Sequence, residues 1–453
     1  MLTRQESHQI KLHTVTIEDL VPADHFLRKL DRIIDFSFIY GEVQNLYSRT
    51  KGRPSIDPVV LVKYLLLGYL AGIESERQIE REVQVNMAYR WFLGIDIDGR
   101  VPDHSTISQN RRRRFRGRDL FRVLFERVLF QCIDQGLVEG KLILTDSTHV
   151  KAFASKRSEF GIMVEKEAAW YMDRLDQYEA FERKRLNMPK QERRQTEPKS
   201  RYVKKTISTT DPEAGRLNRP GKPEGPHYLS HQSLDANHGI IVDVTVTPGN
   251  VTDATPYLDR ITYMRRRIGL GIEAVGVDSA YDISLVHQEL SDKNIEIYTP
   301  ENHEKPRHKV AFTREDFQYD EAEDRFICPA GKELFPKCLQ RSSCNLMREY
   351  RAKSSDCKKC LQKESCLAPS QKSRKIQVNI FEAAVRRNHE KDGMAEHKRV
   401  LDLRQIWCEG TFAAQKERHN LRRLFRRGLQ AAEDHCLLSA TAMNLKRMVK
   451  YLG

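Results

Sequence analysis

Asp146 closes the apolar run at 142–144 in GKLILTDST, Asp278 closes a second run in IEAVGVDSAYD, and Glu409 lies in the basic stretch RQIWCEGTFAAQKERHNLRRLFRRG. Short apolar runs bounded by polar residues read as buried strands, so two carboxylates stand at strand ends and the third on a helix. In a region of alternating strands and helices, strand ends gather along one edge of a sheet. Carboxylates brought together there repel one another unless a cation intervenes, and hard oxygen ligands select magnesium or manganese. Such a site can hold two ions about 3.5–4 Å apart, one activating a water or a 3′-hydroxyl, the other stabilising the leaving oxygen of a phosphodiester. Taken singly, each acid has a plainer reading: Asp146 and Asp278 as caps at strand ends, Glu409 as a solvated surface acid. Asp235 and Asp253 are acids of the same region and read as structural caps or as groups supporting the main three.

Lys416 follows Glu409 by seven residues, a rotation of roughly 700° on a helix, so both side chains share one face. Lys416, Arg422 and Arg423 could then hold nucleic-acid phosphates near the acids. A second basic run, Arg111, Arg112, Arg113 and Arg114, precedes an amphipathic helix and supplies either phosphate contacts or a solvated face. The 453-residue chain carries 77 Lys and Arg against 63 Asp and Glu, a formal net charge of +14. An excess spread over many segments suits a polyanionic partner, and nucleic acid is the commonest one for such chains.

Of the nine cysteines, Cys132, Cys408 and Cys436 are isolated, whereas Cys328, Cys338, Cys344, Cys357, Cys360 and Cys366 crowd into one region. A cytosolic chain keeps its thiols reduced, which favours metal ligation over a disulfide framework. The two-residue gap between Cys357 and Cys360 lets both thiolates reach one tetrahedral zinc, and Cys328 and Cys366 would complete four ligands. Cys338 or Cys344 could replace one of them, and ordinary reduced cysteines are the alternative. With no histidine at ligand spacing beside them, such a zinc would be structural.

The elements that must position these residues fall into four regions. Residues 1–136 read as an all-α, helix-turn-helix-like block, with Asp57 capping a helix that opens on Pro58, Ser75 and Gln78 at capping-box spacing, and Asp103 as a further cap. Residues 137–300 alternate strands and helices around a polar insertion at 156–226, part helix and part loop, whose basic stretch is either a DNA contact or a linker. Strands are expected in HYLSHQSLDA, GIIVDVTVTP and NIEIYTP, with a turn at Asn237-His238-Gly239 and a helix over 254–268. Residues 301–390 form the cysteine-rich insertion, and 391–453 the helices bearing Glu409. The run VVLVKYLLLGYLAGI is broken by Lys63 and is too short for a membrane span, and the N-terminus has no secretory pattern, so a cytoplasmic, nucleoid-associated protein is expected.

Three motifs in this order resemble those of bacterial insertion-sequence transposases of the DDE superfamily, in the subgroup with an N-terminal helical domain like GRPSIDPVVLVKYLLLGYLAGIESERQIEREVQVNMAYRWFLGI. The strand-end Asp in a TDST-like context is matched by Asp146, the Asp of DSAYD by Asp278, and the glutamate helix by Glu409 with Lys416. The resemblance covers nearly the whole chain. It implies an α/β, RNase H-like mixed sheet flanked by helices, binding of terminal inverted repeats, and magnesium- or manganese-dependent cleavage and joining of DNA. It also implies a homodimer assembled on element ends and target. Related transposases often set a Tyr seven and an Arg four residues before the glutamate; here Asp402 and Gln405 hold those places, with Arg404 one residue away. The alternatives are a metal-dependent nuclease that cuts without joining and a DNA-binding regulator with an inactive core.

Overall fold

The computed structural model describes residues 14–48, 50, 55–115, 119–165, 169–189, 202–218, 221, 224–300, 311–368 and 370–453. Strand β1 is Leu142–Lys151, followed by β2 Glu159–Glu165, β3 Tyr202–Ser208, β4 Gly215–Leu217, β5 Gly225–Asp235, β6 Ile241–Pro248, β7 Ala274–Gly276 and β8 Glu296–Tyr298. The central sheet runs β4-β5-β1-β7-β8, with β6 also paired to β5. β5 is antiparallel to β1 and β6, whereas β7 is parallel to both β1 and β8. An antiparallel meander continued by two parallel strands, in the order β6-β5-β1-β7-β8, is the RNase H-like arrangement. The apolar runs form this sheet because their residues are buried on both faces; β5 is buried along its whole length. The helices Ala254–Tyr263 and Ser284–Ser291 connect β6 to β7 and β7 to β8.

The N-terminal helices are where the sequence placed them. Asp57 accepts a hydrogen bond from Val59 N at 2.7 Å ahead of Pro58, and Gly72 closes the helix Pro58–Ala71 in the left-handed region. Asp103 likewise caps His104–Arg113 through Ser105 N at 2.7 Å. Ser75 occupies the N-cap position of Glu76–Val85, but its side chain makes no capping bond, a correction to the capping-box reading. Helices Pro58–Ala71 and Glu76–Val85 meet at 94°. No single helix among the described residues is long and apolar enough to cross a membrane.

The helical block does not keep a core to itself. The C-terminal helix Leu429–Leu452 packs against Phe26–Ile33, Pro58–Ala71, Leu120–Asp134 and β6, so one hydrophobic interior joins the first and last parts of the chain. Its central residues are buried nearly all round, which a helix covered on one face cannot be.

The polar insertion holds more structure than a helix and a loop. The expected helix is present at Met172–Arg185, while β2 and β3 form an antiparallel hairpin and β4 pairs with β5 as an edge strand. Alternating side chains on β2 give its half-exposed pattern, which the Lys-rich composition of β3 conceals in the sequence. Residues 190–201 of the expected loop and 301–310 at the start of the cysteine-rich insertion lie outside the described residues. That second insertion forms its own antiparallel sheet, β13-β12-β11-β10-β9, from β9 Gln318–Asp320, β10 Arg325–Ile327, β11 Glu333–Ser342, β12 Asn345–Ala352 and β13 Lys375–Asn379. Arg341 pairs with Asp176 and Glu179, and Arg348 with Glu182, docking this sheet on the helix of the first insertion.

Candidate active site

β1 and β7 run in register from Leu142 opposite Ala274 to Leu144 opposite Gly276. Two residues further along each strand direction stand Asp146 and Asp278, at the same level and on the same face as the last aligned pair. Asp278 Oδ1 accepts from Ser279 N at 2.8 Å, turning the chain away from the sheet just past the acid. Asp146 Oδ1 accepts from Ser147 N at 2.7 Å, and Ser147 Oγ donates to Asp253. Burial pushes the Asp146 carboxyl up to about 6; the Ser147 N–H and Arg404 oppose the rise, and the charges of Asp278 and Asp253 add to it. Asp253 is thus an acid beside the site, as the sequence allowed. Asp235 is a cap: it accepts from Gly140 N at 2.8 Å and Asn237 N at 2.9 Å.

Glu409 reaches this edge on a helix with a changed pitch. Residues Ala395–Arg404 are α-helical, Gln405–Glu409 form a π turn, and Gly410–Arg418 return to α. The π turn packs against β1 and β5. Cys408 is buried there, its thiol pushed up beyond the usual range by burial and then by the charge of Asp146, with Glu409 contributing as well, while Glu409 itself is exposed. Trp407 Nε1 donates to Ala236 O at 3.0 Å, and the indole lies over Gly239, whose φ of +69° and missing Cβ leave room for the ring. Arg447 of the C-terminal helix lies 5.3 Å from the Trp407 ring centre and bonds Thr411 Oγ1 at 2.6 Å, clamping the turn from the other side.

Sequence reasoning left Arg404 without a role, yet its Nη1 donates to Asp146 Oδ2 at 3.0 Å. Only 13% of the Arg404 side chain and 19% of Asp146 remain exposed, so this is a withdrawn ion pair rather than a surface one. Bonding from i to i+5 spends one more residue per turn than an α-helix needs. The π turn between Arg404 and Glu409 therefore changes the angle between these two side chains from that of a regular helix. Arg404 Nε, Tyr281 Oη and Gln232 Oε1 are buried without a hydrogen-bond partner in the described chain; Gln232 sits directly across β5 from Asp146. Buried polar atoms of this kind are normally satisfied by protein groups or ordered water.

The basic residues divide. Arg111 is a correction: its guanidinium is largely buried and paired with Glu76 at 2.6 Å, which withdraws it from the surface. Arg114 stacks over Tyr47 at 4.3 Å and donates to Asn110 at 2.9 Å. Arg112 and Arg113 are exposed. Lys416 lies part-buried on Gly410–Arg418. Arg422 and Arg423 are 64% and 59% exposed and pair with Glu417 and Glu74. Their backbone is tied to the strand of Asp146, with Lys151 N donating to Arg422 O at 3.2 Å and Leu424 N to Lys151 O at 2.8 Å.

The central sheet has the RNase H-like order, with Asp146 on β1, Asp278 just past the end of the parallel β7, and Glu409 on the helical turn packed against β1. Residues 15–113 match the model of a transposase domain (DUF772), and residues 327–449 match that of a transposase DDE domain. Two separate stretches of the chain are thus similar to transposase domains, the second of them to a DDE domain. No curated protein matches it. Among solved structures, a piggyBac transposase synaptic complex with hairpin DNA is similar at 9% identity and a TM-score of 0.40, over 94% of this chain and 75% of that one. A Mos1 transposase paired-end complex with the left transposon end is similar at 12% identity and a TM-score of 0.16, over 55% of this chain and 61% of that one.

Proposed function

We propose that the chain binds the terminal inverted repeats of an insertion sequence and performs cleavage and strand transfer with Asp146, Asp278 and Glu409. What supports this most is that Asp146 and Asp278 each lie two residues past the last aligned pair of the parallel β1 and β7, with the turn of Glu409 packed against β1. The donor types suit a hard divalent cation, three carboxylates from three elements with one raised by burial beside like charges, but their oxygens do not close within 4.8 Å of one another and Arg404 occupies Asp146 Oδ2, so binding an ion would draw Glu409 inward and shift Arg404. Magnesium or manganese bound by these acids would stabilise the charge that develops on the attacking and leaving oxygens of a phosphodiester.

The chain's own residues do the rest. Arg404 holds Asp146 in place through its Nη1. Arg112, Arg113, Lys416, Arg422 and Arg423 bind phosphates, the last two exchanging their surface acids for DNA at little cost. The perpendicular pair Pro58–Ala71 and Glu76–Val85 acts as a helix-turn-helix, presenting exposed Arg77 and Arg81 to the major groove. In the first displacement a water oxygen bonds to phosphorus as the bond to O3′ breaks, its proton passing to solvent and O3′ taking one up. In the second, that 3′-oxygen bonds to a target phosphorus as the target's own P–O3′ bond breaks. One phosphodiester replaces another, so no energy source is needed. Two ends must be joined together, so a homodimer assembles on DNA, in the cytoplasm at the nucleoid.

The test uses a duplex carrying the element's end, in magnesium, with wild type, Asp146→Ala, Asp278→Ala and Glu409→Ala. Joined products from wild type, abolished in each variant while end binding persists, are expected. Cleavage without joining would point to a nuclease, and binding without chemistry under any divalent ion to a regulator.

A further inference from the structure

Six cysteines crowd the second insertion, and the fold separates them into four and two. Cys328, Cys357, Cys360 and Cys366 line one cavity of about 30 Å³ at the end of the sheet where β10 turns into β11 and β12 leaves. Cys338 lies on β11 with Gln340 Nε2 at 3.5 Å, and Cys344 lies in the β11–β12 turn, at the other end. Two of the four sulfurs already receive backbone amides: Lys332 N points at Cys328 Sγ at 3.3 Å and Arg374 N at Cys357 Sγ at 3.4 Å. The first comes from a tight turn in which Gly331, at φ +69°, donates its N–H to Cys328 O at 2.8 Å. N–H groups aimed at sulfur are the kind of supporting contact found around a thiolate-bound metal.

The surroundings ask for a cation at that point and balance the charge that would result. Four thiolates around one divalent ion leave a net charge of −2, and Lys332, Lys363 and Arg374 line the same cavity. Arg374 is fixed by bonds to Cys366 O at 2.7 Å and Phe312 O at 2.8 Å. At the cysteine end the buried apolar core is only Phe317, Phe326, Leu334, Tyr350, Ala352 and Ile376, whereas Leu339 and Leu346 at the other end pack with Leu175, Leu285 and Phe381. So small a core rarely holds a unit of this size without a staple.

We infer that Cys328, Cys357, Cys360 and Cys366 bind one structural zinc ion and that the ion closes this end of the insertion's sheet. Soft thiolate ligands in a set of four select zinc over the hard ions suited to the carboxylate site. The sulfurs ring the cavity without closing on it: among the described residues, the trios of ligand atoms within 4.8 Å of one another are Asp282, His287 and His389, and Glu80, Asp103 and His104. Binding therefore turns the thiol side chains inward.

The full-length wild-type chain, purified with zinc and without disulfides, is alkylated before and after chelation, and modified cysteines are located by mass spectrometry alongside metal analysis. One zinc per chain is expected, with Cys328, Cys357, Cys360 and Cys366 protected until chelation and Cys338 and Cys344 modified throughout. Cobalt substitution should give the intense visible bands of a tetrahedral thiolate site. Because wild type is used, no variant has to fold. Cys338→Ser and Cys344→Ser should keep the ion, and Cys360→Ser should lose it. A chain with no bound zinc or cobalt, or with Cys338 or Cys344 protected in place of one of the four, would overturn the assignment, whatever the outcome of the DNA assays.

Discussion

Removing the Arg404 side chain would strand the Asp146 carboxylate in a pocket where four-fifths of it is withdrawn from solvent. Loss of one preorganised charge partner in a reaction site typically costs about 10²-fold or more in rate. Arg404→Ala should therefore lower end cleavage by roughly that factor with end binding unchanged, and Arg404→Lys should recover part, keeping the charge but losing the planar fork. Single-turnover cleavage beside a binding titration checks this; equal losses in both would mean the arginine only holds the fold. At this scale the sequence was informative where an acid ended an apolar run, because strand burial and a polar stop leave a pattern in neighbouring residues. It was uninformative about partners. Nothing near Arg111 announces Glu76, and nothing near Asp146 announces Arg404, because those pairs are made by folding.

The element that matters most is the helix interrupted at Gln405–Glu409. A π turn has no residue signature, so the seven-residue spacing from Glu409 to Lys416 was legible while the change of pitch before Glu409 was not. Its position depends on a fit that can be tested: a methyl group at Gly239 would run into the Trp407 ring, at a backbone conformation that side chains rarely adopt. Gly239→Ala should destabilise the fold by about 3 kcal/mol, combining overpacking with left-handed strain, and should reduce cleavage further than stability alone explains. Chemical denaturation with parallel activity measurements checks it. An unchanged midpoint would show that the indole can move aside. The turn Asn237-His238-Gly239 was readable from composition, but the indole seated on it comes from far along the chain.

Across the whole molecule, three of the four regions of the sequence share one interior, the N-terminal helices included, while the cysteine-rich insertion has its own small core. Composition does not reveal this sharing, because the helices on both sides of the shared core are apolar and look self-sufficient. The join includes buried histidines. His435 Nε2 donates to Asn420 O at 2.7 Å and its Nδ1 accepts from Tyr69 Oη at 2.9 Å, while His419 Nδ1 donates to Tyr69 O at 2.8 Å. Burial pulls both pKa values down to about 4 from the usual 6.5. The unfolded chain takes up these protons first, so the stability they contribute is full above about 6.5 and is lost as pH falls toward 4, on the order of 3 kcal/mol for each. Thermal unfolding at stepped pH should show a steep fall across that window, shallower in His435→Gln.

The position of the C-terminal helix also sets a schedule. Its buried residues fill the space between the N-terminal helices and β6, so the interior cannot close until they have been synthesised. At about 5–20 residues per second, the earliest helices wait on the order of half a minute or more beside the ribosome with their apolar faces uncovered. During that interval the nascent chain depends on chaperones, and a transcript cut short before residue 429 yields a chain whose first helices are complete in sequence yet have nothing to close upon.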